Sequence, residues 1–306
     1  VDTSKEPSLV APLPHDSYAD FTHGLTQAPP SSADEVNPDN PPWGVVTAFL
    51  AWIASALLLL FMPVIVLIPY ALLGHRGVVT EEGAQTLLKD QTAIFLLVLS
   101  TLPAHLLTLG LVWAVVTGFG KRPFWPTLGW SWSKRVGLWT SIGVALLVLV
   151  VGALLTILVK GEPTELDQIV ASSMAARIAI ALLATLTAPL VEEMIYRGLL
   201  YSALQRATGT VWAVIIVSTL FAGVHVYQYK NNLGVIAVIT IFSLSLTLMR
   251  AYSGRLLPCY IMHLVFNGLQ SIFIVLEPYM RRESGGGEQK AALIVDAAQH
   301  LLQKLS

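Results

Sequence analysis

Three short stretches carry side chains that do not belong in hydrocarbon. The run Ala188-Pro189-Leu190-Val191-Glu192-Glu193-Met194-Ile195-Tyr196-Arg197 places two adjacent carboxylates and a guanidinium inside an apolar segment; Phe221 and His225 lie in a second, and His263 and Asn267 in a third. A charged side chain at the bilayer centre costs about 2.5 to 3.5 kcal/mol on insertion scales, so such groups face the interior of a helical bundle and have a job there. Successive helical residues point about 100° apart, so Glu192 and Glu193 serve different faces. Glu193 and Arg197 are spaced i, i+4 and can pair, which lowers the cost of burying both and leaves Glu192 the freer carboxylate. His263 and Asn267 share one helical face by the same spacing. A carboxylate and an imidazole can polarise water, while an imidazole and an amide can donate to a developing oxyanion. Together these groups are a hydrolytic toolkit.

The elements that must position them are membrane helices. Of 306 residues, 55% are hydrophobic and 12% charged, against about 25% charged in soluble domains. The apolar runs exceed the roughly 18 to 20 residues that a crossing needs. They predict an all-α polytopic transmembrane bundle of seven to eight spans, the seven being 44–73, 92–119, 136–159, 175–201, 211–229, 233–251 and 256–276. Pro63, Pro69 and Pro189 each remove a helix donor, so the first and fourth spans are expected to tilt or break. Ala222 and Gly223 are expected to let a neighbouring helix approach His225 closely. His105 in the second span reads as an interhelical hydrogen-bond partner, His75 as loop surface and Cys259 as packing. The sixth span contains no acid or histidine and reads as packing.

Outside the spans, residues 1–42 hold seven acids, one lysine and eight prolines. Such a segment cannot bury enough apolar surface to offset its chain entropy and is expected to be disordered unless a partner orders it. The membrane domain then runs over 43–280. A linker and an amphipathic helix follow over 281–306, with Gly285 to Gly287 as the linker and Leu293, Ile294, Ala297, Leu301, Leu302 and Leu305 at helical spacing. Lys121, Arg122, Lys134 and Arg135 in one loop, with Arg206, Arg250 and Arg255 in alternate loops, place the N-terminus in the cytoplasm by the basic-loop rule. Trp125, Trp130, Trp132 and Trp139 flank the first of these loops as interfacial anchors. A formal net charge of -1 gives no basic surface for nucleic acid.

The ordered set Glu192-Glu193-x-x-x-Arg197, Phe221-x-x-x-His225 and His263-x-x-x-Asn267 resembles the signature of the CPBP (CAAX protease and bacteriocin-processing) or ABI family of intramembrane proteases, over about 175–276. The resemblance implies that Glu192 and His225 activate water, that His263 and Asn267 hold the oxyanion, and that Glu193 and Arg197 fix the helix and the first glutamate. The family is often labelled metalloprotease, and Glu192, His225 and His263 have the donor types of a zinc site; a metal-free glutamate mechanism is equally compatible. The implied substrate is a peptide or membrane protein in the lipid bilayer, in a bacterial cytoplasmic (inner) membrane, with no requirement for a prenyl group. Two other classes are open to the same residues. One is a non-catalytic subunit whose acidic tail joins a larger membrane complex; the other is a transporter using the carboxylates as proton sites.

Overall fold

The computed structural model describes residues 37–74, 87, 89–159, 161–226 and 228–280. Residues 1–36, His75, the Gly285 to Gly287 linker and the amphipathic stretch to 306 lie outside the described residues. The regular elements among the described residues are helices: α1 (Val45–Gly74), α2 (Gln91–Leu99), α3 (Thr101–Thr117), a single turn α4 (Phe124–Thr127), α5 (Leu138–Leu158) and α6 (Glu165–Ser172) lead to α7 (Met174–Thr208), α8 (Thr210–Val226), α9 (Leu233–Ser253) and α10 (Leu257–Met280). Among the described residues six spans are long and apolar enough to cross a membrane, α2 and α3 counting together as one, and α8 is a shorter apolar helix in the place of the expected fifth span, 211–229. Their lipid-facing sides stay apolar and exposed, as a bilayer requires: Leu60, Leu72, Leu147, Ile157 and Val211 are all largely uncovered.

The prolines disturb their helices unequally. The first span runs unbroken through Pro63 and Pro69. The second span breaks instead, at Ser100. Pro103 has no N–H for the carbonyl of Leu99, so the ladder is interrupted where α3 begins. The fourth span is irregular on both sides of the glutamates. It passes into π-helix over Leu183–Thr187, returns to α-helix over Ala188–Glu193 and is π-helical again over Met194–Leu200. Each π stretch is about one turn of wider winding, a distortion often found at functional positions.

One end of the bundle is tied together by residues that the sequence assigned to a disordered tail. Pro38, Pro41 and Trp43 are buried. Arg250 pairs with Asp39 at 2.8 Å, Arg206 donates to the carbonyls of Pro41 and Trp43, and the Trp43 indole donates to the carbonyl of Leu199 at 3.1 Å. Residues 37–42 are therefore ordered by partners within the chain, two arginines that lie far away in sequence. Gly129 completes the junction: it has φ of +72°, and a Cβ there would meet Pro38 at 2.8 Å, while its carbonyl accepts from the Leu256 N–H at 2.9 Å. Arg135 reaches the Tyr252 carbonyl at the same end, so the loops that carry Arg135, Arg206, Arg250 and Arg255 are gathered on one side of the bundle.

Candidate active site

The centre of the site is Arg197, which is fully buried. A guanidinium has five N–H donors and no acceptor, so it survives in a core only if neighbouring helices supply oxygen. Its Nη1 donates to Glu193 Oε1 at 3.0 Å, its Nε to Thr247 Oγ1 at 3.3 Å, and its Nη2 to the Ser243 carbonyl at 3.0 Å and the Ser243 hydroxyl at 3.1 Å. The Phe221 ring covers the guanidinium carbon at 4.6 Å. The expected Glu193–Arg197 pair is present, and both side chains are fully buried. Three of these four hydrogen bonds, however, go to α9, the span expected to be packing alone. Ser243 and Thr247 give no charge signal in a sequence, and their hydroxyls are commonly taken up by their own helix; only a neighbouring helix gives them this second use.

Glu193 carries a second load. Its Oε1 also accepts from His263 Nδ1 at 2.8 Å, so Arg197, Glu193 and His263 form a continuous buried chain from α9 through α7 to α10. The opposite imidazole nitrogen, His263 Nε2, stands 3.7 Å from Glu192 Oε2. Glu192 is the less buried of the two acids, with its side chain 26% exposed. The 100° offset between adjacent residues thus has the expected result. Glu193 faces the interior and holds His263; Glu192 faces a cavity.

That cavity, of about 370 Å³, is lined by Glu192, Ile195 and Tyr196 from α7, by Val224, His225 and Gln228 at the end of α8, by His105 from α3, and by an α1 wall that includes Trp52, Leu59 and Leu60. Leu60 and Val224 lie on the exposed surface of the helices, so the cavity meets the lipid-facing side of the bundle. His225 is half-buried and gives its Nδ1 to the carbonyl of Phe221 at 2.8 Å. Phe221 is therefore a double support, under Arg197 and under His225. Gly223 does not play its expected part, because a Cβ there would meet nothing within 4 Å and the residue is exposed. Beyond the end of α8, burial together with the charges of Asp167 and Glu192 pushes the Tyr229 phenol up to about 12.

Asn267 sits apart from that wall. Its Nδ2 donates to the Ala184 carbonyl at 2.9 Å. In the π stretch the Ala188 N–H goes to Leu183, and the residue five beyond Ala184 is Pro189, which has no N–H. The asparagine amide fills that vacancy. His105, expected to be an interhelical partner, is one: its Nδ1 lies 2.8 Å from Thr187 Oγ1. It also lines the Glu192 cavity, which its isolated place in the second span did not reveal.

A zinc site built on Glu192, His225 and His263 is not assembled; among the described residues no three His, Cys, Asp or Glu side chains are grouped to hold a metal. The oriented partners that zinc histidines need are nonetheless present, a carboxylate on His263 and a carbonyl on His225. The same partners fix the imidazole tautomers for chemistry without metal.

Fold and site define a polytopic helical membrane protein with an acid and imidazole centre inside its bundle. Residues 174–269 match the family described as type II CAAX prenyl endopeptidase, Rce1-like, in agreement with the motif order that resembles the CPBP proteases. The matched segment includes Glu192, Glu193, Arg197, Phe221, His225, His263 and Asn267; α1 to α6, with His105, lie outside it. No curated protein and no solved structure matches the chain.

Proposed function

We propose that this chain is an intramembrane endopeptidase that hydrolyses a peptide bond of a peptide or membrane-protein substrate at the bilayer, with Glu192 as general base. The observation that carries the reading is the position of Glu192, which borders one cavity with His225 and stands 3.7 Å from His263 Nε2. Water held between Glu192 and His225 loses a proton to Glu192 as it attacks the carbonyl carbon. The remaining amide hydrogen of Asn267 donates to the oxyanion, as does the Nε2–H of His263 in its imidazolium form, whose Nδ1–H stays on Glu193. The proton on Glu192 then passes to the leaving nitrogen as the C–N bond breaks. Each step is derived without metal, because the three expected ligands are not grouped. Supporting a membrane-borne substrate is the apolar α1 wall and the edge of the cavity at Leu60 and Val224. The gathering of the Arg135, Arg206 and Arg250 loops around residues 38–43 supports a cytoplasmic N-terminus.

The test is turnover of a peptide library by the purified protein in lipid, with Glu192→Ala beside it. Cleavage by the wild type that Glu192→Ala loses supports the reading, and equal turnover by both overturns it. Metal analysis of the active protein decides the metal-free route: stoichiometric zinc that chelators remove together with activity would replace it. A cellular role that survives Glu192→Ala favours the non-catalytic subunit.

A further inference from the structure

A peptide bond is open to a nucleophile where its helix is unwound, and unwinding leaves backbone N–H and C=O groups without partners. Hydrocarbon cannot satisfy them. A site that receives substrate from the bilayer must therefore offer hydrogen bonds to the substrate main chain beside its catalytic groups. The Glu192 cavity has few to give. Ser55 donates its hydroxyl to the Trp52 carbonyl at 2.8 Å, His105 is taken up by Thr187, and Nδ1 of His225 by the Phe221 carbonyl. Glu192 and the other nitrogen of His225 serve the water, and Tyr196 adds one hydroxyl. Gln228 differs from all of these. Among the described residues its amide has no hydrogen-bond partner, and it is half-buried with neither amide atom sealed in the core. The Tyr229 N–H reaches the His225 carbonyl at 3.2 Å, so the winding of α8 carries past Val226 and Gln228 stands about one turn after His225. Val224, His225 and Gln228 thus share the helical face that lines the cavity.

Resting on the peptidase reading, we propose that Gln228 binds the substrate main chain next to the scissile bond, its Oε1 accepting from a backbone N–H and its Nε2 donating to a backbone carbonyl. A carboxamide carries donor and acceptor side by side, as a residue of a β-strand does, so the pairing imitates one rung of a sheet ladder. A helical segment has its N–H and C=O groups engaged within itself and gives Gln228 nothing to bind. The contact therefore selects by conformation: the substrate is a chain already extended beside the cleavage point, whatever side chain it carries there.

Capture of peptides by the full chain in lipid nanodiscs tests this without turnover. Immobilised Glu192→Gln, alone or combined with Gln228→Met, is exposed to a peptide library in which each member is present unmodified and with one amide at a time replaced by an ester. Bound peptides are identified by mass. The ester removes a single N–H, while Gln228→Met keeps the length of the side chain and removes both of its hydrogen-bonding atoms. Glu192→Gln should retain peptides whose capture falls about threefold to tenfold, the effect of one neutral hydrogen bond, when the ester stands at one position in the chain. That loss should vanish with Gln228→Met and persist with Gln228→Glu, which keeps the acceptor. Each comparison is a ratio within one variant and does not depend on its folded fraction. An ester loss that persists in Gln228→Met overturns the proposal, as does one that is absent from Glu192→Gln or a failure of Glu192→Gln to capture any peptide. Cleavage by the wild type is read separately: if it cleaves nothing while the ester loss depends on Gln228, the peptidase reading falls and the main-chain contact stands.

Discussion

Asn267 donates to the carbonyl of Ala184 at 2.9 Å, across the gap between α10 and α7, because Pro189 leaves that carbonyl without a backbone donor. A proline and an asparagine 78 positions apart are thus two halves of one hydrogen-bond account. An unsatisfied buried acceptor costs about 1 to 3 kcal/mol, and Asn267→Leu should destabilise the protein by that amount. In a Pro189→Ala background a backbone N–H is available again and the same substitution should cost less. A double-mutant cycle on unfolding in detergent measures the coupling; additive effects would show that the two residues are independent.

Substitution at the two adjacent glutamates should separate chemistry from stability. Glu193→Gln leaves Arg197 buried without its counter-charge and removes the carboxylate from His263, and breaking a buried pair costs about 3 to 5 kcal/mol. Glu192→Gln should leave Tm nearly unchanged, since that side chain faces the cavity, and should abolish turnover. Thermal unfolding and peptide cleavage, measured on both variants, check the contrast; a Glu192→Gln variant as unstable as Glu193→Gln would refute it.

The partners of Arg197 on α9 make a further prediction. Thr247→Val keeps shape and removes the acceptor for Nε, and Ser243→Ala removes one of two acceptors for Nη2. Each should cost about 1.5 to 3 kcal/mol, the range for hydrogen bonds to charged groups, and the Thr247 change should be the larger because Ser243 still offers its carbonyl. Chemical unfolding of the two variants ranks them.

Tyr229 supplies a pH dependence. Its phenol is raised from the ordinary 10.0 to about 12, with burial the main cause and the charges of Asp167 and Glu192 adding to it. The folded state therefore holds this proton more tightly than the unfolded state, and the resulting stability is present below pH 10 and lost between 10 and about 12. Tyr229→Phe should flatten the stability profile in that window only. The difference in phenolate absorbance between wild type and variant should appear near pH 12; a difference already complete at pH 10 would contradict the assignment.

Much of the site could be read from the chain because charge in hydrocarbon is conspicuous. Glu192, Glu193, Arg197, His225 and His263 stand out in any apolar run, and helical spacing alone assigned Glu193 to Arg197 and freed Glu192. What could not be read were partners with no such signal. Ser243 and Thr247 look like ordinary polar residues of a membrane helix, the Ala184 and Phe221 carbonyls belong to apolar residues, and His105 is a single histidine 87 positions before Glu192 and 120 before His225. The ordered strap at 37–43 was hidden for the same reason: proline-rich acidic sequence resembles a disordered tail until Arg206 and Arg250 are placed beside it.

The sequence by itself determined that the chain is a helical membrane bundle, where its spans lie and which ionisable groups had to face inward, since hydropathy, period and the cost of burying charge are local properties of the chain. Only the tertiary structure decided which helix completes which. Backbone carbonyls and hydroxyls take their roles from the helix that happens to lie opposite, as when α10 repairs a proline gap in α7, α9 satisfies an arginine of α7, and Thr187 of α7 meets the His105 imidazole of α3.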